Sequence, residues 1–112
     1  IEESGGHVSM KRVNGDLAVS RAFGDFVYKQ AHDLPPEKQA VSVEPEIKIA
    51  DRRGGDEFLI FACDGIWDVV SNQKAVDLVN ELDDNVNKAK ELARYAYNNK
   101  SYDNLSVIII NL

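Results

Sequence analysis

One cysteine in 112 residues has nothing to pair with, so no disulfide framework can form within the chain. That shortage points to a reducing, intracellular setting, cytoplasmic or nuclear. The single thiol, Cys63, sits inside an apolar run and is expected to be a buried packing residue. Long hydrophobic stretches are also missing: none approaches the roughly 18 residues a membrane span needs, so no membrane partner is expected. Positive charge is scarce. Thirteen Lys and Arg stand against 19 Asp and Glu, a net charge of −6, which argues against a nucleic-acid backbone as partner. There is no internal repeat, low-complexity tract or linker. What remains is a chain with 44% hydrophobic residues, enough for a core in one domain or in part of one. It opens at Ile1 rather than Met and is expected to be a piece of something longer or a processed product.

The chain is organised around Phe58 to Val70, F-L-I-F-A-C-D-G-I-W-D-V-V. Phe58 to Cys63 is an unbroken apolar run between Asp56-Glu57 and Asp64-Gly65, which predicts a strand buried on both faces. Leu105 to Ile110 predicts a second strand too apolar to have a wet face. Val43 to Asp51, with Ile47 and Ile49 alternating around Lys48, predicts a half-buried strand. Gly54-Gly55 turns that strand into the central one, so the two are expected to pair antiparallel. Upstream, Ile1 to Ser4 reads as a helix tail stopped at Gly5-Gly6. Asn14-Gly15 between Val8–Val13 and Asp16–Ser20 reads as a hairpin turn. Ser20 to Asp25 leaves that hairpin in a short turn or helix, and Val27 to Val41, with Pro35-Pro36, reads as an irregular surface loop. After Asp68 the period changes. Ser71 caps a helix whose apolar face is Ala75, Val76, Val79 and Leu82. Asp83-Asp84-Asn85 stops it and caps a second helix carrying Val86, Ala89, Leu92, Ala93 and Ala96, which ends near Asn98-Asn99. Apolar strands with only two full helices to cover them predict sheets layered with outer helices, half of the arrangement lying outside this chain.

Three carboxylates carry the candidate chemistry. Asp64 follows the central strand, Asp68 lies four positions on, and Asp103 sits in the polar loop before the last strand. If the two strands are neighbours, both loops reach one end of the sheet. Carboxylates converging there repel one another, and a divalent ion removes that repulsion. The other reading is structural: Asp64 and Asp68 cap the following helix and Asp103 makes a turn. Spacing leaves both open.

Four motifs then occur in order: Arg12-Val-Asn-Gly-Asp-Leu-Ala-Val-Ser-Arg-Ala-Phe-Gly-Asp25, Val43-Glu-Pro-Glu46, Ala62-Cys-Asp-Gly-Ile-Trp-Asp-Val69 and Ser101-Tyr-Asp-Asn-Leu-Ser-Val107. Together they resemble the C-terminal half of the catalytic domain of a type-2C, metal-dependent serine/threonine protein phosphatase, over nearly the whole chain. The resemblance implies an α+β fold, part of a layered αββα sandwich of two antiparallel sheets flanked by helices, with residues 1–112 one portion of a single catalytic domain and no second domain. It implies Mg²⁺ or Mn²⁺, two or more ions in the complete domain. Asp64 and Asp103 fall on the family's metal ligands, and Asp68 on the aspartate that helps hold a third, weaker ion. The implied substrates are phosphoproteins, hydrolysed at phosphoserine or phosphothreonine by a metal-activated water without a covalent enzyme intermediate.

The family's first half supplies an early acidic ligand, an Asp-Gly-His-Gly motif and a phosphate-binding Arg, and this chain has none of them. His7 and His32 lack the required context and receive no catalytic role. The expectation is therefore an isolated chain with no useful activity and weak metal affinity, whose apolar strands seek the missing N-terminal half or a second copy. A pseudophosphatase-type binding module is the alternative from another class. A haloacid-dehalogenase-type phosphotransferase is set aside because Ile66 stands where its second Asp belongs, and an EF-hand loop because alternating acidic ligands are missing. Among other residues, Arg21 and Asp25 are expected to order a turn through buried hydrogen bonds. Trp67 is expected to anchor helix to sheet, Asn104 to hold the Asp103 loop, and Lys29 and Pro35-Pro36 to fall in the family's variable flap.

Overall fold

The computed structural model describes every residue, Ile1–Leu112. The chain divides into two units, Ile1–Ala50 and Asp51–Leu112.

In the first unit a 3-10 turn at Glu2–Ser4 stops at Gly5, whose φ of 80° accommodates the reversal. Two short strands follow, β1 (Val8–Ser9) and β2 (Arg12–Val13), paired antiparallel with Val8 opposite Val13. Their turn is Met10-Lys11, at φ 52° and 61°, so the expected first arm, Val8–Val13, is itself folded in half. Asn14-Gly15 does take positive φ, as its composition demands, but it serves a second turn that brings Leu17 back to Val13. Asn14 ties the two turns together: its N–H donates to His7 O at 2.7 Å, and its Oδ1 accepts from His7 N at 2.9 Å. Beyond Gly24 and Asp25, both left-handed, come 3-10 turns at Phe26–Tyr28 and Pro36–Lys38. The intervening loop is clasped by the Gln39 amide, which donates to Ala31 O and Leu34 O, both at 2.8 Å, and accepts from Ala31 N. Val13, Ala40 and Val41 form the small core. Ala40 and Val41 therefore correct the surface assignment of Val27–Val41 at its end. Residues 43–50 form no strand, and Ile47 and Ile49 are exposed. The expected pairing of this segment with the central strand does not occur.

In the second unit β3 (Phe58–Ala62) pairs instead with β4 (Val107–Asn111), antiparallel, from Phe58 opposite Asn111 to Ala62 opposite Val107. Three helices join them: α1 (Asp64–Trp67), α2 (Asn72–Glu81) and α3 (Lys88–Asn98). Ser71 caps α2, its Oγ accepting from Lys74 N at 3.2 Å. The cap of α3 is Asn87, not the Asp83–Asn85 run, and its Oδ1 accepts from Lys90 N at 3.0 Å. The core is Ile66, Val70, Ala75, Leu92 and Ala96. On α2 the inward face adds Leu78, whereas the expected Val76 is exposed. Trp67 packs on the core and its indole N–H donates to Ala62 O at 2.8 Å, the anchor the sequence predicted.

One expectation is corrected for both strands. Ile60, Ala62 and Val107 pack on the core, but Leu59, Phe61, Ile108 and Ile110 lie on the opposite face and are exposed. Alternation along a strand sends neighbours to opposite faces, and the second unit holds helices for only one of them.

Candidate functional site

Antiparallel pairing carries the ends of β3 and β4 to the same place. Cys63 extends the ladder by one residue, its N–H donating to Ser106 O at 3.2 Å. The thiol is half-buried and works as a hydrogen-bonding group rather than as apolar filler: Sγ donates to Asn104 O at 3.2 Å and accepts from Ser106 N at 3.3 Å. Asp64 is the first residue of α1, and its Oδ1 accepts from Gly65 N at 2.9 Å. Asp68 is the C-cap of the same short helix.

The Asp103 loop is launched by the end of α3. Lys100 is left-handed at φ 68°, its N–H donating to Tyr97 O while Ser101 N–H reaches back to Ala96 O at 3.1 Å. This is the Schellman arrangement, with Lys where Gly is usual. Ser101 is the buried polar residue of the chain, and its Oγ donates to Gly65 O at 2.6 Å. The two loops touch backbone to backbone: a Cβ on Gly65 would lie 2.2 Å from Asn104 O and 3.3 Å from Asp103 Cβ. Asp103 Oδ1 accepts from Asn104 N at 2.7 Å. Asn104 thus helps shape the loop, as expected, and does so through its backbone N–H and carbonyl.

An open recess of about 370 Å³ lies at this junction, lined by Gly65, Asp68, Ser101 and Asp103 together with Val69, Lys100 and Tyr102. Asp68 and Asp103 therefore share one recess. Asp64 adjoins it through Gly65, and its side chain is not part of the lining. No three His, Cys, Asp or Glu side chains come together as a metal cage. The donors themselves suit a hard cation. All three carboxylates are exposed, and Asp64 and Asp103 each use only Oδ1, on the next residue's amide. In kind they fit Mg²⁺ or Mn²⁺, and in number they fall short of the six oxygens such an ion takes. The structural reading holds for Asp103, whose Oδ1 shapes the turn, but not for Asp64 as a cap: Cys63 is the N-cap of α1, without a side-chain bond, and Asp64 Oδ1 reaches only the adjacent amide. It fails for Asp68 as well, because Ser71 caps α2.

A larger recess, about 860 Å³, lies at the far end of the same sheet, among Glu57, Phe58, Leu82, Asp83, Val86 and Ile109. It contains none of the three carboxylates, so size does not locate the chemistry here. Sequence reasoning passed over Ser101 and the hydrogen bonds of Cys63. A serine after a helix looks like any loop residue, and only the fold shows that its hydroxyl points inward.

In the first unit Arg21 and Asp25 make no buried network, which corrects that expectation. Arg21 is exposed and lies 3.6 Å from Glu46 Oε2, an ion pair of little energetic weight. Asp25 takes a left-handed backbone, and its carbonyl receives Tyr28 N. Lys29 Nζ donates to Ala22 O at 2.7 Å and stands 5.9 Å from the Phe26 ring centroid. The Tyr28 hydroxyl donates to Asp16 Oδ2 at 2.7 Å. That hydrogen bond holds the phenol above its ordinary range, helped by the charges of Asp16 and Asp25.

The family model described as Protein phosphatase 2C matches residues 1–105. The chain belongs to the protein phosphatase 2C family. It is 46% identical to human protein phosphatase 1A over 115 residues, covering 98% of this chain and 30% of that protein. It is 47% identical to the probable protein phosphatase 2C 11 of Oryza sativa subsp. japonica over 81 residues, 72% of this chain and 22% of that one. Among solved structures, a phosphatase from a pathogenic strain of Toxoplasma gondii aligns over 99% of this chain and 38% of its own, with TM-score 0.81 and 30% identity. A sex-determining protein of C. elegans aligns over 98% and 27%, with TM-score 0.80 and 29% identity. These neighbours share the α+β fold with two antiparallel sheets and helices. This protein phosphatase 2C chain spans about 30% of the length of the animal relatives it matches.

Proposed function

We propose that residues 1–112 are the C-terminal portion of a single protein phosphatase catalytic domain that hydrolyses phosphoserine and phosphothreonine in phosphoproteins. The observation carrying this reading is the shared recess: Asp68 and Asp103 line it, and the Asp64 loop is locked against it through Gly65. Asp103 and Asp64 would hold a divalent cation, Mg²⁺ or Mn²⁺, through the oxygens their backbone hydrogen bonds leave free, with Asp68 contributing to a further ion. Such a cation supplies Lewis acidity, neutralising phosphate charge and acidifying water. This chain's own part is to hold carboxylates at fixed positions on one sheet end and to leave them open to solvent. Ligands and the phosphate-binding group beyond these must come from elsewhere, so the chain alone is expected to turn over no phosphopeptide and to bind metal weakly.

The bare face of β3 and β4 supports a second part of the proposal. Leu59 stands opposite Ile110 and Phe61 opposite Ile108, an apolar surface that costs about 25 cal/mol per Å² to leave wet. The rest of the domain would cover it, and in the isolated chain a second copy would. An intracellular location, cytoplasmic or nuclear, fits a Cys63 that functions as a free thiol. The alternative is a pseudophosphatase-type binding module, in which the same fold would dock partners without turnover; the retained Asp64, Asp68 and Asp103 argue against such decay.

One experiment separates the two. Residues 1–112 replace the matching segment of human protein phosphatase 1A, and the chimera is assayed with Mn²⁺ on a phosphothreonine peptide. Turnover that is lost in Asp64→Asn and Asp103→Asn supports the enzyme. A folded chimera without turnover overturns it in favour of the module.

A further inference from the structure

We infer that Ser101 is a positioning residue: its hydroxyl sets the separation of the Asp64–Asp68 segment from Asp103, and thereby the metal affinity of the recess. The inference rests on the metal-holding reading above and extends it to a residue that bears no charge and touches no cation.

The argument starts from an orphan carbonyl. Helix α1 is four residues long, and its last turn tightens, Val69 N–H donating to Ile66 O at 3.2 Å. Gly65 O therefore receives no helical bond from Val69, the partner an uninterrupted α-helix would give it. Ser101 Oγ supplies the bond, at 2.6 Å and buried. A buried carbonyl left without a donor is destabilising, so the hydroxyl holds its position.

Both ends of this link are rigid. Ser101 is fixed through its own N–H to Ala96 O, and Ala96 is fully buried in the core. Gly65 is followed by Ile66, also fully buried. The bond thus joins the end of α3 to the start of α1 across 36 residues of sequence. Asp64 is the residue before Gly65, and Asp103 lies two after Ser101. Gly65 and Ser101 both line the recess that Asp68 and Asp103 share. The contact of Gly65 with Asn104 O sets how far the loops can close, and the Ser101 hydroxyl keeps them from opening.

The test uses the chain itself and amide NMR, with Mn²⁺ alone as the probe. Without metal, Ser101→Ala should move the Asp103 and Asn104 amide resonances while the core amides of Leu92 and Val79 stay in place. With Mn²⁺, paramagnetic broadening of the Gly65 and Asn104 amides in wild type should require about tenfold more metal in Ser101→Ala. Ser101→Thr, which keeps the hydroxyl, should restore the wild-type titration. Gly65→Ala, which keeps the hydroxyl but forces the loops apart and so stretches its bond to the residue-65 carbonyl, should weaken the titration as Ser101→Ala does. Unmoved Asp103 and Asn104 amides in Ser101→Ala would overturn the positioning role whether or not metal binds. Equal titrations of wild type, Ser101→Ala and Gly65→Ala would overturn it as well. A wild-type chain showing no broadening at either amide would count against the metal-holding reading, while the metal-free shifts still decide the role of Ser101.

Discussion

Ser101 Oγ and Gly65 O stand 2.6 Å apart, and this one bond joins the two loops on which the carboxylates of the recess are mounted. The loops approach so closely that Gly65 has no room for a side chain, since its Cβ would fall 2.2 Å from Asn104 O. Backbone cannot yield as the tip of a long side chain can. Gly65→Ala should therefore destabilise the chain by about 1–3 kcal/mol, the usual cost of forcing atoms into filled space. Urea unfolding followed by Trp67 fluorescence measures it, and a midpoint equal to wild type would contradict the contact.

The core of the second unit should respond to truncation in proportion to burial. Leu92 is fully buried between Ile66 and the other helical residues. Leu92→Ala is expected to cost about 2–5 kcal/mol, whereas Val76→Ala, on the outer side of α2, should change stability by less than about 1 kcal/mol. Paired denaturant curves of the two variants test the assignment of the α2 and α3 faces.

The exposed sheet face makes a prediction about association rather than stability. Phe61 and Ile108 are partners across β3 and β4 and are 52% and 62% exposed. Replacing both with Thr keeps a strand-favouring residue and removes apolar area. Sedimentation velocity should show wild type self-associating as concentration rises and the double variant shifted toward monomer. A wild type that stays monomeric at high concentration would show that this face does not drive association.

Tyr28 gives a pH dependence with a defined sign. Its folded pKa is raised, chiefly by the hydrogen bond to Asp16, so folding retains the phenol proton that the unfolded chain gives up near pH 10. The stabilisation is complete below the unfolded value and is lost as pH climbs through the folded one. Asp16→Asn should bring the phenolate absorbance transition of Tyr28 down toward the ordinary value and flatten the alkaline fall in stability. An unchanged transition would separate Tyr28 from Asp16 in solution.

Several elements were legible from residue order because their causes are local. The Ser71 cap, the second helix ending at Asn98-Asn99, the turn at Gly54-Gly55 and the Trp67 anchor each follow from side-chain chemistry within a few positions. The errors arose where a partner had to be chosen. Val43–Asp51 has a strand's alternation, but its neighbour in sequence, β3, takes β4 as its ladder partner. Asn14-Gly15 carries turn chemistry and does turn, yet Met10-Lys11, with no such signal, closes the β1–β2 pair.

The carboxylates divide in the same way. Residue order alone singled out Asp64, Asp68 and Asp103 as candidates and placed the strands β3 and β4 beside Asp64 and Asp103, because hydrophobic runs and the charges at their ends are properties of short segments. The tertiary structure decided that Asp68 shares a recess with Asp103 while Asp64 stands beside it, and that Ser101 and Cys63 tie their loops together. Those relationships join residues about 40 positions apart, and antiparallel pairing of β3 with β4 is what brings them within a hydrogen bond of each other.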